Sequence, residues 1–236
     1  MEQTVYMVLF SLPAILFSFI ASILVRKSYS TWINYDNSAR LTGLAVGDWL
    51  AKSSGLLETR FSASAERLED RFDPGGNLVL LSSEIANQAS IASMAIVAHE
   101  LGHAQQFADH SLFHSFRSFA EPAASIGPGA AYVLIVVGIV LEETGLTWIG
   151  VVLFGFALVI MLLTLPMEMD ANRRGMTMLR QSGLLKGNDD EKGVREVLKA
   201  STFTYVAAAV TFFILVLQFL RQILPLLLVL KDLKKR

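Results

Sequence analysis

Long apolar runs without a charged residue dominate this sequence. They cover residues 4–25, 128–141 and 148–165, and a fourth run covers 203–230 with a single charged residue. A helical run of about twenty apolar residues crosses a hydrocarbon core about 30 Å thick. Hydrophobic residues make up 53% of the chain, which is high for a soluble protein. We therefore expect a mainly α integral membrane protein with three to four transmembrane helices.

The flanks of these runs indicate how the chain is threaded. The first run has no basic segment before it and stops at Arg26 and Lys27, which is typical of a retained anchor and not of a cleaved signal peptide. Only Glu-Glu-Thr-Gly-Leu-Thr separates the second and third runs, which predicts a membrane hairpin with an acidic tip. The fourth run contains Arg221 and Pro225, and it either crosses the membrane or bends at the proline and returns.

The runs also divide the chain into segments. These are a transmembrane anchor (1–25), an extramembrane domain (26–127), a transmembrane hairpin (128–165), a second polar segment (166–202) and a C-terminal membrane segment with a basic tail (203–236). Two crossings separate the polar segments, so both lie on the same side. Basic residues near membrane-spanning ends favour the cytoplasm, and Arg26, Lys27 and Arg173 therefore place both polar segments there. The basic tail disagrees with this orientation if the fourth run crosses.

Local patterns predict the elements of the polar segments. A short amphipathic helix, ended by Gly55, carries an apolar face of Leu41, Leu44, Ala45 and Leu50. A turn at 73–76 precedes a short β-strand of a small sheet, formed by Leu78, Val79, Leu80 and Leu81. Further helices are expected at 89–107, at 167–179 directly after Pro166, and at 191–201.

Charge and cysteine content exclude several classes of protein. The net charge is −1, and no basic stripe with interleaved aromatic residues is present, so the sequence gives no support for nucleic-acid binding. The chain has no cysteine, which excludes disulfides, thiolate nucleophiles and cysteine metal ligands. A metal ion would have to be held by histidine, aspartate or glutamate.

The stretch His99-Glu100-Leu-Gly-His103 has the spacing of a zinc site. Residues four apart share one face of a helix, so both imidazoles can bind one ion. Glu100 is rotated by about 100° from His99, which suits a general base that acts on a water and does not bind the metal. The alternative is a buried histidine pair without a metal. Such a pair, with a carboxylate, would be costly to bury without partners.

A catalytic zinc ion needs a third protein ligand. His110 does not fit, because no glycine turn precedes it and a straight helix puts it about 10 Å along the axis from His103. His110 and His114 are then a partly exposed helical pair. Glu168 is the favoured third ligand, ahead of Asp170, which would orient a ligating imidazole. Alternatively, Glu168 only complements the dipole of a helix that starts there.

Three motifs resemble one family. "RFDPGGNLVLLS", "SIASMAIVAHELGHAQQ" and "LPMEMDANRRG" occur in that order, with the hairpin between the last two. The chain is similar to the YugP-like bacterial membrane-bound neutral zinc metallopeptidases and, more distantly, to gluzincin-type, HtpX-like endopeptidases. The resemblance implies one catalytic Zn2+ ion bound by His99, His103 and Glu168, Glu100 as the base, and a multi-pass protein of the bacterial inner membrane.

The expected function is that of a zinc-dependent membrane endopeptidase, which hydrolyses peptide bonds with a zinc-activated water and a glutamate general base. Its partners would be the lipid bilayer and protein or peptide substrates, either membrane proteins or unfolded segments near the cytoplasmic surface. The strand 78–81 either pairs as an exposed edge with an extended substrate or pairs within the sheet. Candidates for stabilising the oxyanion are Arg173, Arg174 and His110, although the two arginines also suit membrane-face anchors.

Two other functions fit the sequence less well. A non-catalytic membrane scaffold or assembly protein could keep a vestigial or structural zinc ion. A structural site has four protein ligands, however, and the sequence offers three good ones, which favours catalysis. A transporter would need ionisable residues deep in its crossings, and Arg221 is the only candidate.

Overall fold

A computed structural model describes residues 2–64, 70–110, 126–127 and 129–233. Its elements are α1 (Glu2–Trp32), α2 (Gly43–Ser53), β1 (Arg60–Ser64), β2 (Arg71–Asp73), β3 (Leu78–Ser82), α3 (Ser83–Asn87), α4 (Ile91–Ala108), α5 (Gly129–Val140), α6 (Thr144–Gln181) and α7 (Asn188–Leu233). The prediction of a mainly helical chain with a small sheet is confirmed. His114, Pro128 and the end of the basic tail lie outside the described residues.

The chain forms two compact units. The first consists of the described residues within 1–20, 116–165 and 205–236, and the second of those within 21–115 and 166–204. Three of the helices, α1, α6 and α7, have residues in both units. Each unit is therefore assembled from segments that are distant in sequence.

The first unit is a set of apolar helices. A short turn at 141–143 joins α5 to α6, as the hairpin prediction requires. The glycine at Gly150 lets α6 approach the backbone of α5 at Ala131 and Ile135. Between α6 and α7, the rings of Phe154 and Phe212 lie with their centroids 4.9 Å apart.

Two helices in the described part of the chain are long and apolar enough to cross a membrane. They are α6 and the portion of α7 from Asn188 to Ile214. Helix α5 is apolar but shorter. Crossings by α1 and α5, which would complete the expected three or four, remain predictions.

Both long helices correct the sequence-based boundaries. Pro166 lies inside α6, so no new helix begins there, and Glu168 is not at a helix start. Helix α7 continues through Arg221 and Pro225 to Leu233, so the chain does not turn back within the described residues. A proline removes one backbone hydrogen bond of a helix, but the surrounding bonds of a long apolar helix can keep it intact.

The second unit surrounds α4. The core packs α2, α3, β3 and α4 against the later part of α6 and the start of α7, with Leu50, Leu81, Ile85, Leu101 and Leu179 fully buried. Helix α4 covers 91–108, close to the expected 89–107. Helix α2 ends before Gly55, which has a φ of 74°.

The buried face of α2 agrees with the prediction at Leu50 and differs from it at the other three positions. It consists of Gly43, Val46, Gly47, Leu50 and Ala51, while Leu44 and Ala45 are only partly buried. The helix begins at Gly43, capped by the side chain of Thr42, and this places its buried stripe one to two residues further along the chain. Helical spacing alone allowed either stripe.

The strand 78–81, predicted either to bind substrate at an exposed edge or to pair within the sheet, is the central strand of its sheet. The order is β1-β3-β2, with β1 parallel and β2 antiparallel to β3. Strand β1 pairs along the whole of Leu78, Val79, Leu80 and Leu81, and β2 pairs with the first three of them. Pairing within the sheet is therefore confirmed. The alternative of an exposed edge is wrong for 78–80, because a strand with two neighbours has no backbone groups left for a third.

Reciprocal glycine contacts bring α4 and α6 together. A Cβ atom at Gly102 of α4 would overlap the carbonyl oxygen of Ala171, and one at Gly175 of α6 would overlap the carbonyl oxygen of Ala98. Only glycine permits so close an approach of two backbones. The approach occurs beside His99 and His103, so these glycines set the distance between α4 and the polar residues of α6.

Candidate metal centre

Helix α4 is largely buried, and it carries His99, Glu100 and His103. Its N-terminus is capped by Ser90, whose hydroxyl accepts a hydrogen bond from the backbone N–H of Ser93. One turn separates His99 from His103, and their rings lie 4.7 Å apart in an edge-to-face arrangement. Both imidazoles point the same way, as the spacing predicted.

Glu168 lies opposite these two imidazoles. Its Oε2 is 3.3 Å from Nε2 of His99 and 3.6 Å from Nε2 of His103. One ligand atom from each residue lies within 4.8 Å of the other two, so the three residues could hold a metal ion. The packing of α6 on α4 thus brings together the three residues that the sequence analysis selected.

The polar atoms of this cluster fit a cation. Glu168 is 4% exposed, and its Oε2 accepts no hydrogen bond from any residue that the structure describes. A buried carboxylate oxygen without a donor is costly. A divalent cation between the two nitrogens and this oxygen would satisfy it, and two imidazoles with one carboxylate are a donor set that zinc accepts.

The charges around His99 also favour a cation. Burial alone would lower the pKa of His99, but the facing carboxylate of Glu168 and the nearby charge of Glu100 more than offset this and raise the pKa. The surrounding carboxylates thus attract positive charge to this position, and a proton and a metal ion compete for it.

The other ring nitrogens are held by amides that the sequence analysis missed. Nδ1 of His99 is 2.8 Å from Oδ1 of Asn172, and Nδ1 of His103 is 3.0 Å from Oε1 of Gln106. Gln106 follows His103 by three residues, and Asn172 follows Glu168 by four, so helical spacing put each on the correct side. That spacing was the available signal, but many polar residues share it.

Asp170 does not contact either imidazole. Its carboxylate accepts hydrogen bonds from Gln106, Arg173 and Arg174. The two arginines and the amide of Gln106 occupy its oxygens, so the predicted orientation of a ligating histidine by Asp170 could act only indirectly. It reaches His103 only through Gln106.

Glu100 lies next to His99 and is also hydrogen-bonded to strand β2. Its Oε2 accepts a hydrogen bond of 2.7 Å from the backbone N–H of Phe72 in β2. Its Oε1 lies 4.0 Å from Nε2 of His99. One carboxylate oxygen is thus anchored to a strand, and the other is left near the candidate metal ligands.

The residues considered for oxyanion stabilisation do not belong to the candidate metal cluster. His110 is exposed and follows the end of α4, in a turn with a φ of 47°. Arg173 pairs with Asp170, and Arg174 bridges Asp170 and Asp109. Arg174 therefore links α6 to the residue that directly follows α4.

Comparison with known proteins agrees with this geometry. The family described as "Putative neutral zinc metallopeptidase" matches residues 6–224. "Putative membrane protease YugP" of Bacillus subtilis (strain 168) is 29% identical over 199 residues, which cover 84% of this chain and 88% of that relative. No solved structure matches the chain. Since the family match spans almost the whole sequence, the chain belongs to this family of neutral zinc metallopeptidases.

Proposed function

We propose that this protein is a zinc metalloendopeptidase of the membrane, with one zinc ion held by His99, His103 and Glu168. The observation that carries the proposal is the buried Oε2 of Glu168, which faces the Nε2 atoms of both histidines and has no hydrogen-bond donor among the described residues. Membership of the zinc metallopeptidase family supports the choice of metal and of reaction.

Zinc bound there would supply a Lewis acid that activates a water and polarises the scissile carbonyl. Glu100 is the proposed general base. The hydrogen bond from Phe72 fixes Oε2, which leaves Oε1 to accept a proton and to pass it to the leaving amine. Because one oxygen is held by the strand, the carboxylate cannot rotate freely away from the reacting water.

Three ligands favour catalysis over a structural role. A structural zinc site is closed by four protein ligands, whereas a catalytic site keeps one position open. Among the described residues, the cluster contains two histidines and one glutamate. The alternative is a membrane scaffold that keeps a structural or vestigial site. The measurement of zinc content and casein cleavage described below decides between the peptidase and the scaffold.

The proposed location is the bacterial inner membrane, with the metal centre on the cytoplasmic side. Helix α6 supports a metal centre close to a membrane, since it carries the apolar run that ends at Leu165 and then, without a break, Glu168. The proposed substrates are peptide bonds of membrane proteins or of unfolded segments near that surface. The Bacillus subtilis relative is described as a "Putative membrane protease", which agrees with this proposal.

The test compares the wild type with Glu100→Gln, both purified as full chains in detergent. We expect one zinc ion per chain in both proteins, and cleavage of casein by the wild type alone, since the substitution removes the base and leaves the ligands. Equal cleavage by both proteins would contradict the assignment of Glu100. A wild type that binds zinc and cleaves nothing would favour the scaffold.

A further inference from the structure

The Nδ1 atom of each of the two histidines contacts a neutral side-chain amide and not a carboxylate. An amide group can face a neighbour with its oxygen or with its nitrogen, and an imidazole nitrogen can donate or accept. The pair of contacts alone therefore does not define where the protons lie. The remaining partners of each amide decide the question.

Gln106 has one possible orientation. Its other amide atom, Nε2, is 3.0 Å from the carbonyl oxygen of Met167 and 3.0 Å from Oδ2 of Asp170. A carbonyl and an ionised carboxylate can only accept hydrogen bonds. The NH2 group must therefore face these two oxygens, and the amide oxygen faces Nδ1 of His103. Gln106 is 2% exposed, so water does not offer an alternative partner.

Asn172 is oriented by the same logic. Its Nδ2 is 3.1 Å from the carbonyl oxygen of Leu198 and 2.7 Å from the hydroxyl of Thr202. The carbonyl can only accept, so the NH2 group faces α7 and Oδ1 faces Nδ1 of His99. Two residues from different helices thus present the same group, an amide oxygen, to the two imidazoles.

An amide oxygen accepts a hydrogen bond and cannot donate one. Both histidines must therefore carry a proton on Nδ1, and in the neutral imidazole the lone pair is then on Nε2. The Nε2 atoms are the ones that face Oε2 of Glu168, at 3.3 and 3.6 Å. The amides direct both lone pairs to the point where the metal is proposed.

We propose that Gln106 and Asn172 are positioning residues, whose amide oxygens fix His99 and His103 in the tautomer that binds metal through Nε2. The proposal rests on the proposed zinc site. In this proposal the oxygen of each amide fixes the tautomer of its histidine, whereas the NH2 groups attach the amides to α6 and α7 by hydrogen bonds. Removing such an outer partner typically weakens metal binding by about 10- to 100-fold.

The test separates the oxygen from the NH2 group. Gln106→Leu and Asn172→Leu remove both. Asn172→Asp keeps an oxygen acceptor for His99 and loses the NH2, and the hydroxyl of Thr202 can donate to its second oxygen. At Gln106 a glutamate would set a carboxylate oxygen against Oδ2 of Asp170, so the acidic variant is made at Asn172 only. The dissociation constant for zinc is measured on the full chain in detergent by competition with a chromophoric chelator. Gln105→Leu, at the partly exposed neighbour on the same helix, is the matched control.

We expect both leucine variants to bind zinc about 10- to 100-fold more weakly. Asn172→Asp and Gln105→Leu should stay within about threefold of the wild type, well below that loss. Leucine variants with wild-type affinity would overturn the proposal. So would an Asn172→Asp variant as weak as Asn172→Leu, since the NH2 group would then be what matters. If the wild type itself took up no zinc, the proposed function would fail, and that result is distinct from either of these.

Discussion

Glu168 and Asp170 are both buried carboxylates of α6, but their neighbours differ. Oε2 of Glu168 faces two imidazole nitrogens and no donor among the described residues, whereas Asp170 accepts hydrogen bonds from Gln106 and from two guanidinium groups. Charge-assisted hydrogen bonds to arginine already satisfy Asp170. The unsatisfied carboxylate is therefore the one assigned to the metal.

A pair of isosteric substitutions tests this assignment. Glu168→Gln removes a charged ligand and should weaken zinc binding by more than the roughly 100-fold that loss of an outer partner can cost. Asp170→Asn leaves the ligands in place and should cost about tenfold or less, the low end of that range. The dissociation constant for zinc decides between them. The opposite ranking would show that the third ligand had been chosen wrongly.

The residues of the site differ in how far the sequence could predict them. His99, Glu100 and His103 follow from spacing on one helix. Glu168 lies far away in sequence, and only the hairpin topology and the family resemblance pointed to it. Gln106 and Asn172 were missed because many polar side chains have suitable helical spacing. Which of them reaches an imidazole depends on how α4 packs on α6.

At the scale of elements, the site depends on the close approach of α4 and α6. Gly102 and Gly175 each face a backbone carbonyl of the other helix, at Ala171 and Ala98. Backbone atoms cannot rotate away as a long side chain can, so the helices would have to separate to admit a methyl group. Separation would move Glu168 away from the two histidines.

Alanine substitutions test this packing. Gly102→Ala or Gly175→Ala should destabilise the protein by about 1–3 kcal/mol, the usual cost of overpacking, and should also weaken zinc binding. Gly155→Ala in α6 is the control, because a Cβ atom there meets nothing within 4 Å. The thermal unfolding midpoint and the zinc content are the measurements. Wild-type values for Gly102→Ala would refute the close approach.

Element boundaries were predictable where a local signal dominates. The spacing of α4 and the glycine stop after α2 are such signals, and both were found. The role of β3 was not predictable, because a five-residue strand does not reveal how many neighbours it has. The helix start predicted after Pro166 was wrong for a related reason, since the cost of a proline inside a helix depends on the bonds around it.

For the whole molecule, the proposed location puts the metal centre in the cytoplasm, and a crossing by α6 would then put the hairpin tip outside. The tip between α5 and α6 carries Glu142 and Glu143, whereas basic residues such as Arg173 and Arg180 follow the apolar part of α6. This asymmetry favours a cytoplasmic metal centre.

Single cysteines test this orientation cleanly, because the natural chain has none. Gly145→Cys is exposed near the tip with room for a side chain, and Lys186→Cys is exposed between α6 and α7. In spheroplasts, a membrane-impermeant maleimide should label Gly145→Cys at once and Lys186→Cys only after lysis. The wild type is the unlabelled control, and the reverse pattern would invert the proposed topology.

The central claim is that one zinc ion, bound by residues of α4 and α6, makes this protein a peptidase. The most direct measurement is casein cleavage by the zinc-depleted full chain as zinc is returned in known amounts. We expect no cleavage without zinc, and a rise in cleavage that stops at one ion per chain. Cleavage that persists in the zinc-depleted protein, or none at one bound zinc per chain, would contradict it.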